Sequence, residues 1–531
     1  MIDQAANGST DVSVAPWWDR DGEDLTATLV SLVRELRDDD GGRLIRYRVW
    51  DDLYDGIAYL TYSGGALSTD TYAQLSDFLG DSSFNYAARA LDFVHSKVTA
   101  ELPSVTAAGH DADHRQYLRA KALSRFIVGA ADDVGLPAHL SAAVKCALRV
   151  GTGALAVAYT VSGRPLLEDV HPRELFVDPD DARHGDPRCL YRIRPTDRRS
   201  LLERFPDRAY EVTTAGVTDD TGFTAPRYDW TTSRRTVDSV DLYEAWVLPS
   251  SAGSPGLHVQ CLETGEPLLI EPWTDESFPV TLIRAWEPTI GTGFWGRGLI
   301  ERLDAAQFSI DELVRHVDES MRHANLKVFL PDGSEIVADG ILDDPTVGTI
   351  VRYTSVAGGG MPSFVTPDVL GSGREVMAVI AEWRSSLYQI AGLDESAVSS
   401  QRPAGVDSAI AIRTYHDFQS QGYVDLMRRI GVLAVDTVRG LIEAARRRFA
   451  TDGVDWDVRY SRGGSGLTVR WSDVDMPRDS FVIELEQTSP TPDSRAGRLR
   501  GRSRRTPRPV ASRPTTWPAS ARTRTAGGTT A

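Results

Sequence analysis

Residues 297–325 read RGLIERLDAAQFSIDELVRHVDESMRHAN, and the fold turns on this stretch. Its apolar side chains fall at Leu299, Leu303, Ala306, Ile310, Leu313 and Val317. That three-four spacing draws one narrow stripe down a helix. At about 1.5 Å per residue the helix is roughly 40 Å long. A second stretch, GREVMAVIAEWRSSLYQI at residues 373–390, repeats the spacing at Val376, Ile380, Trp383, Leu387 and Ile390. Between the two, residues 326–372 read as a small strand-rich insert. Stripes this narrow predict struts packed against similar struts, with a module carried at the tip, rather than helices wrapped inside a globular core. Such parts suit the wall of a ring or channel and count against a pocket enzyme.

The chain has 531 residues, enough for two or three domains. No apolar run approaches the roughly 20 residues a membrane-spanning helix needs. The N-terminus, MIDQAANGSTDVSVAPWW, has no basic stretch followed by an apolar one, so secretion is not expected. Cys146, Cys189 and Cys261 are odd in number and widely spaced, which fits neither a disulfide framework nor a zinc knuckle and suits a reducing compartment. The formal charge is −17, but ten arginines and no acid follow Asp493, so the rest of the chain carries −17 − 10 = −27. A body this acidic does not grip DNA or anionic lipid by charge; a duplex would slide past it.

Along the chain, residues 1–20 are expected to be disordered apart from Trp17 and Trp18. Leu25, Leu29, Leu32, Val33 and Leu36 mark an amphipathic helix ending at Asp38–Gly42. Strand-like pieces follow at Tyr47–Val49 and Ile57–Tyr62. Helices are expected at 85–102, stopped by Pro103, at 113–132, and at 137–150 with Pro137 in its first turn. Residues 153–177 alternate as a strand meander, and Thr196 is the expected cap of a short helix to Phe205. Residues 210–240 read as a surface loop, and 242–248, 258–262 and 280–286 as strands. After a loop at 392–405, a long helix is expected over 406–448, open to a kink at Gly422, Gly431 or Gly440. Strands return at 456–460, 467–471 and 481–485.

Four constellations could carry chemistry. Gly291, Gly293 and Gly296 spell G-x-G-x-x-G after a strand, with Asp311 and Glu312 near the offset of a ribose-binding acid. That makes a dinucleotide-binding oxidoreductase the alternative reading. Glu287-Pro288 loosens the turn, however, Phe294 and Trp295 crowd the place of a pyrophosphate, and no alternating strand–helix units surround it. A glycine elbow with an aromatic anchor, feeding the long helix, is preferred. His110 and His114 have the helical spacing of a zinc pair, but no third ligand is evident, and a helix start capped by Asp111 or Asp113 explains them. His171, Asp178, Asp180, Asp181 and His184 lie in HPRELFVDPDDARHGDP, where Arg183 and Cys189 occupy the Gly and Glu positions of a calcium loop, so turn chemistry is expected. Arg446, Arg447 and Arg448 end the expected long helix and are read as dipole-capping cations. No serine-hydrolase, Walker or Cys/His signature is present. No enzyme activity, catalytic residue, metal or cofactor is expected.

Three segments carry a resemblance over about residues 70–490: FVDPDDARHGDPR, GFWGRGLIERLDAAQFSIDELV, and IAGLDESAVSSQRPAGVDSAIAIRTYHDF. In this order, around a helix–module–helix unit, they resemble a portal (head–tail connector) protein of long-tailed double-stranded DNA phages. The resemblance implies an α+β ring subunit. Residues 21–296 would be a mixed α/β wing, 297–325 and 373–391 the two stem helices, 326–372 a β-rich clip, and 392–405 a tunnel loop. Residues 406–490 would be a long kinked wing helix with closing strands. It further implies a homo-oligomer, usually of twelve copies, at one capsid vertex of the virion, where double-stranded DNA is packaged and ejected without sequence specificity. Implied partners are the terminase large subunit, major capsid and scaffolding proteins, and head–tail adaptors; no membrane is involved. Ser396, Ser399, Ser400, Gln401 and Arg402 would face DNA from the tunnel loop. Lys327 and Arg352 would serve partner docking at the clip. Another head–tail adaptor component is a second alternative.

The tail departs from the family. A helical crown is expected after about Thr491, yet residues 491–531 hold almost no apolar periodicity and read as a disordered Arg-rich tail. Their restriction largely to Arg, Ser, Pro, Thr, Ala and Gly is the composition of GC-rich coding sequence read in a shifted frame. The rival reading is a basic DNA-binding tail.

Overall fold

The computed structural model describes residues 16–20, 22–56, 84–109, 114–160, 162–216, 238–250, 255–288, 293–322, 327–329, 335–344, 348–354, 363–365, 369–393, 422–462 and 465–485. Met1–Glu486 forms one compact unit; Gln487–Ala531, the second, lies wholly outside the described residues, as do the expected crown and tail. The fold mixes helix and strand, as an α+β reading requires.

Helix α1 (Gly22–Asp39) buries Leu25, Leu29, Val30, Val33 and Leu36 on one stripe. It lies on a five-stranded antiparallel sheet ordered β4 (Leu175–Phe176), β5 (Cys189–Asp197), β6 (Ser239–Val247), β7 (Gly256–Leu262), β8 (Pro267–Trp273). Trp17 joins this layer and donates its indole N–H to the Tyr191 hydroxyl at 3.0 Å. The sheet's other face carries a charged centre between two apolar clusters, one around Leu190 and Trp246 and one around Leu242 and Leu262. Arg192 bridges Glu168 and Glu174, Arg194 pairs with Glu168, and Gln260 donates to buried Glu244. Burial pushes the Glu244 carboxyl up, but Arg194, Arg192 and His258 outweigh it and hold it below the usual carboxylate range. Strands β5 and β8 escape an apolar-alternation reading for that reason: β5 points two arginines inward, and β8 carries Pro267 and Pro272, which an edge strand tolerates.

The expected strand at Tyr47–Val49 is instead the middle of α2 (Gly41–Tyr54). Arg43, Tyr47, Trp50 and Leu53 are buried at helical steps, and that period overrides the strand propensity of the local aromatic and β-branched residues. Ile57–Tyr62 lies outside the described residues. Helix α3 (Tyr86–Val98) ends short of Pro103 and is capped by Asn85, whose carbonyl accepts from Ala88 N while its amide donates to Leu53 and Tyr54 carbonyls. Strand β1 (Val105–Gly109) follows. Helices α4 (His114–Asp133) and α5 (Leu136–Val150) match their expected spans, with Pro137 in the first turn of α5. A three-stranded sheet, β3 (Pro165–Val170), β2 (Thr152–Tyr159), β9 (Val280–Arg284), closes over α5. Thr196 does not cap the next helix, α6 (Arg198–Arg204): it lies within β5 and donates to Arg194 O, and Asp197, the last residue of β5, takes the cap position. A short helix α7 (Ala209–Thr214) occupies part of the expected 210–240 loop; residues 217–237 are outside the described ones.

The long helix near the C-terminus, α10 (Val424–Asp452), begins after a turn at Gly422 and Tyr423, which interrupts the single helix expected over 406–448; the expected part at 406–421 lies outside the described residues. Residues 394–421 lie outside the described ones. Its glycines serve close approach. A Cβ on Gly431 would sit 2.7 Å from a Leu485 methyl, and one on Gly440 3.3 Å from Val157. The helix runs on past the arginine triad, so Arg446, Arg447 and Arg448 are not terminal caps. Arg447 lies 4.1 Å over Trp273 and pairs with Asp275, while Arg446 pairs with Glu443. The hairpin β14 (Asp457–Arg462)–β15 (Ser465–Arg470), a short helix α11 (Trp471–Val474) and β16 (Phe481–Leu485) close the body. Strand β16 pairs antiparallel with β1, Val105 opposite Leu485. Among the described residues, no helix is long and apolar enough to cross a membrane.

Candidate functional site: a strut pair with a strand-rich tip

The struts are α8 (Leu299–Arg322) and α9 (Val369–Ile390), and they pack on each other. The expectation of a strut outside any globular core fails for the base of α8. Leu299, Ile300, Leu303, Ala306 and Ile310 are buried in the main core, against α2, α3 and α5. Beyond Ile310 the stripe is only half-buried, at Leu313, Val314 and Val317. Polar ties fix this root. Gln307 is 1% exposed and uses its whole amide: its oxygen accepts from Tyr86 N and Ala87 N, its nitrogen donates to Phe84 O and Asp311 Oδ1. The Trp50 indole donates to Asp304 Oδ2 at 3.1 Å. Burial pushes the Asp311 carboxyl up to about 7.

Strut α9 has two apolar faces rather than one stripe. Ile380, Leu387 and Tyr388 are buried, with Val376 half-buried beside them. Val379, Trp383 and Ile390, at steps of four and seven, are 41%, 40% and 50% exposed. At about 100° per residue they form their own line beside the buried face. Trp383 and Ile390, expected in the packed stripe, therefore face solvent.

The helix ends in a Schellman motif. Gly392 has φ +71°, its N–H donates to Gln389 O, and Leu393 N–H donates to Tyr388 O at 2.8 Å. From there the chain enters residues 394–421, which contain Ser396, Ser399, Ser400, Gln401 and Arg402; these expected DNA-facing residues lie outside the described ones. The far end of that segment returns to Tyr423, whose hydroxyl donates to Ala391 O at 2.6 Å. Tyr423 is buried, which pushes its hydroxyl up to about 12 and keeps it a donor through neutral pH.

The tip consists of two ribbons. Strand β10 (Lys327–Phe329) pairs with β13 (Ser363–Val365), and β11 (Glu335–Asp344) with β12 (Gly348–Thr354), with a register shift between Ile336 and Ile341. Lys327 opens β10 and Arg352 lies on β12, so the structure places the two expected docking cations on different ribbons. The strand-rich reading of the insert agrees with these elements.

At the root of α8, the glycine motif is an elbow. A Cβ on Gly296 would lie 2.4 Å from Gly151 O, and one on Gly151 2.1 Å from Gly296 O. The Gly296 N–H donates to Thr152 Oγ1, and Trp286 and Arg297 form a β-bridge. Trp295 covers the buried Arg43 guanidinium at 4.1 Å, and Phe294 covers Arg284 at 4.3 Å. The space a pyrophosphate would use at Gly296 is filled by backbone. Gly291 lies outside the described residues, and Asp311 is bound to Gln307.

No protein-family model matches the chain, and no curated protein matches it. The remaining motifs resolve into structure. His114 begins α4 and stacks near Tyr117, while His110, Asp111 and Asp113 lie outside the described residues. His171 faces Asp51 at 3.4 Å, and its burial holds the imidazole below its usual range. Asp178 accepts from Asp180 N and Asp181 N, the turn chemistry expected of that stretch. Among the described residues no His, Cys, Asp and Glu group could hold a metal ion, and the three cysteines are free. Sequence reasoning missed Gln307 and Tyr423. The Gly392 signal after an apolar helix could have located the second clamp.

Proposed function

We propose that the chain is one subunit of a portal-type ring, a structural channel for double-stranded DNA at a capsid vertex. The observation that carries this reading is the strut pair itself: two long helices rooted in a mixed α/β body, extending to a small strand-rich tip. The apolar line Val379–Trp383–Ile390 supports it, because exposed apolar surface at helical spacing calls for a partner. In this reading the body is the wing, α8 and α9 the stem, the tip the clip that docks the terminase and later the head–tail adaptors, and residues 392–405 the loop toward the DNA. The ring also nucleates assembly with capsid and scaffolding proteins. The acidic body favours passage of a duplex over its capture. No catalytic role is assigned to any residue.

Native mass spectrometry and negative-stain imaging test the proposal. Rings of about a dozen copies, with a bore wider than a duplex, are expected with or without scaffolding protein. A monodisperse monomer under both conditions overturns it, and a ring too narrow for DNA would favour a different head–tail component.

A further inference from the structure

His171 opens the turn between β3 and β4, a single 3-10 turn at Pro172–Glu174. Its Nδ1 accepts from Arg173 N at 3.2 Å, so the ring does the work of a capping Ser or Asn. The ring proton therefore sits on Nε2, 3.4 Å from Asp51 Oδ2. The side chain is 17% exposed. From α2 it also meets the Tyr47 ring, with 6.1 Å between centroids. From α5 comes the Arg149 guanidinium, which pairs with Asp51. Arg173 stands on the same turn, and Glu174 there is taken by Arg192 of β5. Cys146 lies beside these groups, but burial pushes its thiol up to about 12, so it stays neutral.

This turn is what the buried Arg43 holds. Its guanidinium donates to Pro172 O and Leu175 O, both at 2.9 Å, and Trp295 covers it at 4.1 Å. Trp295 immediately precedes Gly296, where the chain bends into α8. Direct contacts thus run from the His171 ring through the turn and Arg43 to the root of the strut. A second proton can enter the imidazole only at Nδ1, the atom that accepts the Arg173 N–H. Protonation sets two N–H groups against each other and adds a cation beside Arg149 and Arg173. Burial, which outweighs the pull of Asp51, already holds the imidazole below its usual range. The folded state therefore binds the proton less tightly than the unfolded chain. The stability of the neutral form is complete above the ordinary value of 6.5 and is lost as pH falls below it.

We propose that His171 is a proton-sensitive latch on the strut root. In mild acid Nδ1 gives up the Arg173 amide, the turn at 171–175 opens, and Arg43 loses the carbonyls that hold it under Trp295. The joint at which α8 leaves the body then loosens. The latch lies within one subunit and does not depend on the channel reading.

Hydrogen exchange of the full-length chain, read by mass spectrometry at about pH 5 and about pH 7.5 and corrected for intrinsic rates, tests the latch. Wild-type amides of residues 173–176 and 295–298 should exchange about tenfold faster in acid. Amides around Asp311 are the internal contrast, because proton uptake at that raised carboxyl acts in the opposite direction. His171→Asn and His171→Ser each keep an acceptor for Arg173 N and take up no proton, so both should remove the acid response at both places. Equal wild-type protection at the two pH values overturns the proposal without any variant. So does an acid response that persists in either substituted chain, or one confined to the strands around His258, which meets Glu271 at 2.7 Å.

Discussion

The Tyr423 hydroxyl donates to the Ala391 carbonyl across 32 positions of sequence, closing the base of segment 394–421. One end of the segment leaves a Schellman motif at Gly392, and the other enters α10 through Tyr423. Whatever the segment contacts, its two ends are held at a fixed point beside the end of strut α9. Tyr423→Phe keeps the ring and removes only the donor. It should cost about 1 kcal/mol, a Tm decrease of a few degrees, and quicken proteolytic cutting between residues 394 and 421. Peptide mapping of a timed digest reads this directly; an unchanged cutting rate would show that the hydroxyl does not hold the base.

Asp311 sets the pH response of the strut root. Its folded value of about 7 lies above the ordinary 3.8, so the folded state holds the proton more tightly than the unfolded one. The stability this group contributes is fully present below about pH 4 and is lost as pH rises through about 7. Asp311→Asn keeps an oxygen for the Gln307 amide and cannot ionise. It should be near-neutral at pH 4 and stabilising at pH 8 by roughly 1–3 kcal/mol. Urea midpoints at the two pH values check the sign; equal effects at both would place the carboxyl in water.

The elbow predicts opposite outcomes for two glycines. Gly296→Ala puts a Cβ into the Gly151 carbonyl, where backbone on both sides leaves no room, and should abolish folding or cost more than about 4 kcal/mol. Gly42→Ala, in the first turn of α2 with open space around its Cβ, should stabilise by up to about 1 kcal/mol. Soluble yield and thermal midpoints of the two variants distinguish a packing glycine from a permissive one.

Asp275 is buried and takes two guanidiniums, Arg447 from α10 and Arg478 from the segment before β16. Arg478 also reaches Glu443, so one network ties three distant stretches of chain together. Asp275→Ala leaves Arg447 half-buried over Trp273 without its carboxylate. A loss of roughly 2 kcal/mol is expected, partly relieved in the Asp275→Ala/Arg447→Met double variant. A double-mutant cycle by urea unfolding measures the coupling, and additive losses would mean that the pair is only a surface contact.

The strut pair and its strand-rich tip were legible because their signals are local. Three-four spacing marked α8 and α9, and turn residues bounded the insert. What the spacing could not supply was which side of each helix is covered. Leu303 and Ile310 look the same in sequence whether they face another strut or a globular core, and only the packing of α2, α3 and α5 against them decides it. Trp383 read as part of one stripe for the same reason. Strand β1 was missed because its partner, β16, is distant in sequence, and α2 because its helical period competes with strand-favouring residues. The glycine elbow was legible as an elbow from Phe294 and Trp295, but its purpose, the close approach to Gly151, required the fold.

The exposed line on α9 gives the channel reading its sharpest consequence. Val379, Trp383 and Ile390 lie off the buried side of the helix and are 41%, 40% and 50% exposed, so Trp383→Glu should lower the stability of an isolated subunit by no more than about 1 kcal/mol. If the line is the seam between copies, the same change buries an unpaired carboxylate at every contact and should abolish rings. Leu387→Glu is the control. Leu387 is fully buried against the core, so this variant should unfold the subunit itself. Native mass spectrometry beside thermal unfolding separates the two effects. A Trp383→Glu chain that melts as wild type and no longer assembles assigns the line to the interface, whereas one that still forms rings shows that the copies meet elsewhere.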